Sequence, residues 1–157
     1  MIGKMNSDIL LEVKNLKTHF HYKDYGTVKA VDGISFTVGH GSTMGLVGES
    51  GCGKSVSALS ILRLLPEPPA KVSGYVSLSH GTSNTVLTDL QPGGSKIRKI
   101  RGHEIAMVFQ EPMTSLNPVY SIGAQIAEVV SLHQSLGKKE AWERAVEMLE
   151  SVGIDRP

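Results

Sequence analysis

Thr43-Met44-Gly45-Leu46-Val47-Gly48-Glu49-Ser50-Gly51-Cys52-Gly53-Lys54-Ser55-Val56-Ser57-Ala58-Leu59-Ser60-Ile61-Leu62 is the stretch that decides the fold. Residues 48–55 match G-x-x-x-x-G-K-[ST] in full. Residues 43–47 read as a short buried strand and residues 56–65 as a helix, stopped by Pro66, Pro68 and Pro69. Strand, glycine loop and helix together make a cradle for phosphate. Gly48 and Gly53 let the backbone turn tightly, so the N–H groups of residues 50–55 converge on anionic oxygens. Lys54 supplies a cation for the outer phosphates, the Ser55 hydroxyl suits Mg²⁺, and the helix start beneath them adds its positive end. The bland alternative is a glycine-rich turn that matches by accident; average residue frequencies give about one such match per hundred chains of this length.

Outward from the loop, the pattern alternates between sheet and helix. Residues 9–16 and 30–38 read as strands, the second with Ile34, Phe36 and Val38 on one face. Residues 17–29 read as a hairpin or loop around Asp24-Tyr25-Gly26. Residues 72–78 form a further strand, with residues 79–90 pairing back through a turn near Thr82-Ser83-Asn84. A short basic helix over 95–101 precedes a second central strand over 104–109, which runs into Gln110. After a loop over 112–118, helices are expected over 122–136, capped by Ser121 or Asn117, and over 138–152, the first ended by Gly137. Ala127, Val130, Leu136, Trp142 and Met148 are expected to form the core between them.

Composition bounds the function. The chain has 157 residues, room for one core of ordinary size, and is 40% hydrophobic and 20% charged, a globular balance. A net charge of +1 gives no field for nucleic acid, and none is expected as a partner. Cys52 is the single cysteine, so neither an internal disulfide nor a cysteine metal cluster is expected. The first residues lack the apolar core of a signal peptide, and the apolar runs are far too short to span a bilayer.

Other residues are weaker signals when read alone. Gln110 ends an apolar strand and could reach Mg²⁺ or a water, but a strand-end glutamine is more often an edge residue. Tyr25 could stack on a purine, yet an aromatic beside a Gly turn is usually surface packing. Cys52 reads as a small gap-filler rather than a reactive thiolate. His19, His21, His40, His80, His103 and His133 show no convincing ligand spacing. Lys96, Arg98, Lys99 and Arg101 read as a solvated basic face.

Three runs together resemble a known family. They are Ala30-Val31-Asp32-Gly33-Ile34-Ser35-Phe36, then Gly45 through Ser55, then Phe109-Gln110-Glu111-Pro112-Met113-Thr114-Ser115-Leu116-Asn117-Pro118. The chain resembles the ATP-binding subunit of ABC transporters of the oligopeptide and dipeptide importer group, with nickel importers as near relatives. The resemblance implies an α/β fold: a P-loop NTPase-type core with an antiparallel β subdomain over 8–111, and the first part of a helical subdomain over 112–157. It implies ATP and Mg²⁺ as ligands. Tyr25, Gly48, Glu49, Ser50, Gly51, Cys52, Gly53, Lys54, Ser55 and Val56 would contact nucleotide, Ser55 and Gln110 would hold Mg²⁺, and Gln110 would serve catalysis and coupling. It also implies a peripheral seat on the cytoplasmic face of the cell membrane, against permease subunits that meet the region after Gln110. A second ATP-binding subunit and an external solute-binding protein complete the implied assembly.

The departures are as informative. A family member continues with an LSGGQ-type signature, an apolar strand ending in Asp-Glu and a later His; none follows Gln110 in these residues. Gln91-Pro92-Gly93-Gly94-Ser95 imitates the signature but lies before Gln110. The expectation is therefore an ATP-binding first half, with little or no hydrolysis by itself and an incomplete sheet. Residues 43–47 and 104–109 would then lack strand neighbours. The competing readings are a non-catalytic interaction or structural fragment that keeps the loop and, more weakly, an unrelated P-loop kinase.

Overall fold

The computed structural model describes residues 8–81, 83–110 and 115–156. Its centre is a four-stranded antiparallel sheet in the order β2-β1-β3-β4, formed by β1 (Ile9–Tyr22), β2 (Gly26–Gly39), β3 (Ala70–Ser79) and β4 (Asn84–Val86). Both long strands exceed their expected bounds, because Lys17, His19 and Lys29 ladder along the sheet as polar positions that alternation alone does not reveal. Residues 23–25 form the turn of the β1–β2 hairpin. Ser83 and Asn84 of the expected β3–β4 turn are described; Thr82 lies outside the described residues.

The central strand β1 holds a defect that its packing requires. Val13 and Leu16 are both buried, yet residues three apart on a regular strand face opposite ways. The register resolves this. Val13 pairs with Phe36 and Leu16 with Ile34, so Lys14 and Asn15 oppose Ser35 alone, a β-bulge. Asn15 takes φ 48, and its N–H donates to Ser35 Oγ at 2.8 Å. On the other side Gly74, at φ 104, lies against the Asn15 carbonyl, where a Cβ would overlap backbone. The bulge resets the pleat, and Val13, Leu16 and Thr18 bury together with Val76 and Leu78 of β3.

Helix α1 (Lys54–Ile61) lies on this sheet. Its Ser57, Ser60 and Ile61 are buried. Thr18 Oγ1 and Ser60 Oγ share a hydrogen bond of 2.7 Å between two fully buried side chains, and Ser60 Oγ also donates to Val56 O at 2.6 Å. A turn of 3-10 helix (Leu87–Asp89) follows β4, with Leu87 wholly buried against β3.

The chain divides into two compact units, one ending at Arg98 and one starting at Lys99, with α2 (Ser95–Ile100) at the division. In the second unit α3 (Ile122–Gln134) and α4 (Lys138–Ser151) form a helical hairpin. Ser121 caps α3, its side chain accepting from Ala124 N at 3.3 Å, while Asn117 takes another role. Its N–H donates to Gln125 Oε1, and Gln125 Nε2 returns bonds to the carbonyls of Asn117 and Tyr120, so one side chain laces the preceding loop to the helix. Ser135, at φ 55, ends α3, and Ser131 Oγ donates to Leu136 O across the connection. Gly137 opens α4 with its N–H donated to Glu140 Oε2 at 3.0 Å.

The hairpin core differs from the expected one. Val130, Ala141 and Ala145 are buried, whereas Trp142 and Met148 remain 48% and 45% exposed. Small residues let the helices approach; a Cβ added at Gly123 of α3 would sit 3.0 Å from the Trp142 ring of α4, so the bare glycine makes room for the half-exposed indole across the hairpin.

The two expected central strands are not strands. Residues 42–49 carry no ladder and are exposed throughout, with Val47 at 90%. Residues 104–109 contribute one isolated bridge, Arg101 to Ile105, and Val108 is 97% exposed. An apolar run becomes a strand only when another strand accepts its N–H and C=O groups, and among the described residues none pairs with either segment.

The buried hydroxyl pair gives a direct test. Ser60→Ala leaves Thr18 Oγ1 without that partner and is expected to cost about 1–3 kcal/mol in urea unfolding. Combining it with Thr18→Val should cost clearly less than the sum of the single changes, because each removes the same bond.

Candidate functional site

The glycine loop is built as the motif requires. Gly51 has φ 80 and Gly53 φ 91, left-handed values that only glycine adopts without strain. Gly53 is the residue before α1, and no side chain caps the helix there. The first N–H groups of α1 therefore have neither an intrahelical acceptor nor a cap, and they stand at the positive end of the helix. A Cβ on Gly53 would overlap the Ala30 carbonyl of β2, and Val31 Cγ2 would lie 3.4 Å away. The sheet thus fixes where the loop ends and α1 begins.

Lys54 turns back across the loop. Its Nζ donates to Gly48 O at 2.7 Å and Glu49 O at 2.6 Å, with Cys52 Sγ at 3.5 Å. Cys52 N–H donates to Glu49 O at 3.4 Å. Residues 48–52 and Ser55 are exposed, whereas Gly53, Lys54 and Val56 are half-buried. The donors and the cation are gathered on one accessible loop, an arrangement that favours an anionic, oxygen-rich ligand.

Tyr25 is 87% exposed in the hairpin turn, five residues before Ala30, or about 17 Å along the strand direction at the usual rise. Tyr22 is less free, its ring stacked on Phe20 at 6.5 Å. Gln110 is an exposed bend residue in the second unit; Glu111, Pro112, Met113 and Thr114 lie outside the described residues. The structure therefore joins residues 48–56 in one site and describes Gln110 separately.

Sequence reading missed the supports of this loop. Ala30 was legible only as a strand residue, although its small side chain beside a glycine-rich partner is the available signal. Thr18 stands at a buried position where an apolar residue is usual, which was the hint of its bond to Ser60. Two residues along from Ala30, Asp32 gathers an imidazole and two ammonium groups from both strands: His19 Nε2 at 3.1 Å, Lys29 Nζ at 3.4 Å and Lys17 Nζ at 3.9 Å. The His19 hydrogen bond, and then Lys29, hold the Asp32 carboxyl below its ordinary range.

The G-x-x-x-x-G-K-[ST] motif at residues 48–55, leading into a helix that docks on a sheet, marks an α/β protein of the P-loop class. A family model described as ABC transporter matches residues 31–156, and the chain belongs to that family. It is 48% identical over 157 residues to "Probable peptide ABC transporter ATP-binding protein y4tR" of Sinorhizobium fredii (strain NBRC 101917 / NGR234), covering 100% of this chain and 45% of that protein. It is 47% identical to the oligopeptide transport ATP-binding protein AppD of Bacillus subtilis (strain 168), over 94% of this chain and 43% of AppD. OppD of the same organism, also an oligopeptide transport ATP-binding protein, is 45% identical over 94% of this chain and 40% of its own length. The chain thus spans less than half the length of these curated relatives.

Two outcomes are expected from this geometry. Gly53→Ala combines an unfavourable φ with a backbone overlap, so it should lower stability by about 1–3 kcal/mol or more in denaturant unfolding. For Asp32, a lowered folded pKa means stability that is present above the unfolded value and lost as pH falls through the folded one. The urea midpoints of the unmodified chain and Asp32→Asn should therefore differ near neutral pH and converge in acid.

Proposed function

We propose that this chain is the ATP-binding portion of a subunit that energises import of oligopeptides or dipeptides across the cytoplasmic membrane. The observation that carries the reading is the phosphate loop at residues 48–55, with α1 starting uncapped at Lys54 behind a left-handed Gly53. The printed names of the relatives supply the peptide-transport class.

In this reading the loop amides and Lys54 bind the phosphates by charge-assisted hydrogen bonds. Ser55 and Gln110 hold Mg²⁺, which supplies charge neutralisation at the outer phosphates. Glu49, Ser50, Gly51, Cys52 and Val56 line the path of the phosphates, and Tyr25 stacks on the base. No helix of the described residues is long and apolar enough to cross a membrane. Permease subunits meet the region after Gln110. A second ATP-binding subunit faces the loop, a solute-binding protein delivers cargo from outside, and the assembly sits at the cytoplasmic face.

Calorimetric titration of Mg-ATP tests the reading. Lys54→Ala should weaken binding by about ten- to a hundredfold, the value of a lost hydrogen bond from a charged donor. Ser55→Ala should lose the advantage of Mg²⁺ while binding ATP in EDTA as the unmodified chain does. Absence of measurable binding by the unmodified chain would overturn the proposal.

A further inference from the structure

The bulge at Asn15 also orders the charges on the side of the sheet away from α1. Thr18 turns toward Ser60 of α1 and is buried together with Val13 and Leu16. Alternation therefore points Lys14, Lys17, His19 and His21 the other way. On a regular strand Lys14 and Lys17, three apart, would face opposite sides; the bulge places them on one face. The neighbouring strands extend the row, because residues opposite each other in a ladder share a face. His19 stands between Lys29 of β2 and Lys71 of β3, and Lys17 stands between Asp32 and Ser73.

Lys14, Lys17, Lys29 and Lys71 share this face with the carboxylates of Glu12 and Asp32. Both carboxylates are already engaged, Glu12 by Lys14 at 2.8 Å and Asp32 by His19 and Lys29 at 3.1 and 3.4 Å. Lys17 reaches Asp32 only at 3.9 Å, and Lys71 has no carboxylate partner among the described residues. Lys14, Lys29 and Lys71 are exposed. In a chain whose net charge is only +1, positive charge is thus gathered on one side of one sheet.

We propose that this outer face of β1, β2 and β3, through Lys14, Lys17, Lys29 and Lys71, is a docking surface for an anionic phospholipid bilayer. Charge complementarity calls for an anionic partner, and shape selects among such partners. An acidic helix or peptide is gripped in a groove or along a sheet edge. These lysines are instead spread over three adjacent strands, about 10 Å across at the usual spacing, and a planar array of headgroups meets them together. Their flexible stems carry the ammonium groups out to the lipid phosphates and carboxylates. The choice of a bilayer rests on the peripheral seat proposed above, since the cytoplasmic leaflet is the one rich in anionic lipid. Such a contact is weak and screened by salt, so it orients the chain beside its protein partners and does not anchor it alone.

The test is co-sedimentation of the full chain with phosphatidylcholine vesicles, with and without phosphatidylserine, at low ionic strength. The chain should bind the vesicles that contain phosphatidylserine, and added salt should release it. Lys14→Gln, Lys29→Gln and Lys71→Gln should each weaken partitioning about fivefold, the effect of one lysine near an anionic leaflet. Lys139→Gln, on α4, makes the same change in net charge and should leave partitioning as it was. Absence of binding to phosphatidylserine vesicles, or an equal loss in Lys139→Gln, overturns the proposal. Retention on immobilised polyglutamate without vesicle binding also overturns it and assigns the face to an acidic polypeptide. Titration of Mg-ATP into the same samples keeps the two readings apart. A chain that binds Mg-ATP and no vesicles overturns the docking face alone; one that binds vesicles and no Mg-ATP overturns the nucleotide reading alone.

Discussion

The β-bulge at Asn15 is the constraint on which the sheet and its helix depend. In a regular strand of the same sequence, Val13 and Leu16 would face opposite sides of β1. Thr18 would change sides relative to Val13, and its hydroxyl could not meet Ser60 of α1. The bulge is held from both neighbours, by Ser35 Oγ on the Asn15 N–H and by the bare backbone of Gly74 against the Asn15 carbonyl. One irregularity in the middle strand therefore sets the seat of the helix that carries the phosphate loop.

The site follows from that seat by short steps. α1 is fixed near its end by Ser60, and its start is fixed by Gly53 pressed on Ala30. Backbone donors remain at the helix start because no side chain caps it, while Lys54 is turned onto the loop's own carbonyls. Stability and readiness oppose each other here. Capping α1 would stabilise the helix and would also consume the donors that an anion needs.

Much of this was legible in the sequence, for physical reasons that vary by element. The glycine loop declared itself because few residue types satisfy its backbone angles. β2 and β3 showed period-two alternation, and α4 showed helical period with glycine at its start. Residues 43–47 and 104–109 have the composition of buried strands, but pairing is not a local property, and the segments remain open in the described structure. The full length of β1 was hidden because Lys17, His19 and His21 lie on its outer half. In the helical hairpin, large residues drew the eye, whereas Ala141 and Ala145 make the close contact and Trp142 lies half in solvent. The site divides in the same way. The loop was written in consecutive residues, but Ala30, Thr18 and the inward turn of Lys54 depend on chain distant in sequence or on rotamer choice.

The contact between Gly53 and Ala30 bears on modularity. The eight-residue motif looks portable, a cassette that could be spliced before any helix. Its last left-handed turn, however, is shaped against a carbonyl contributed by another strand more than twenty residues earlier. A graft that moved the loop and α1 alone would leave that wall behind. The smallest transferable unit is therefore the hairpin, the loop and the helix together, and a substitution that swells β2 at Ala30 would register as a defect of the loop.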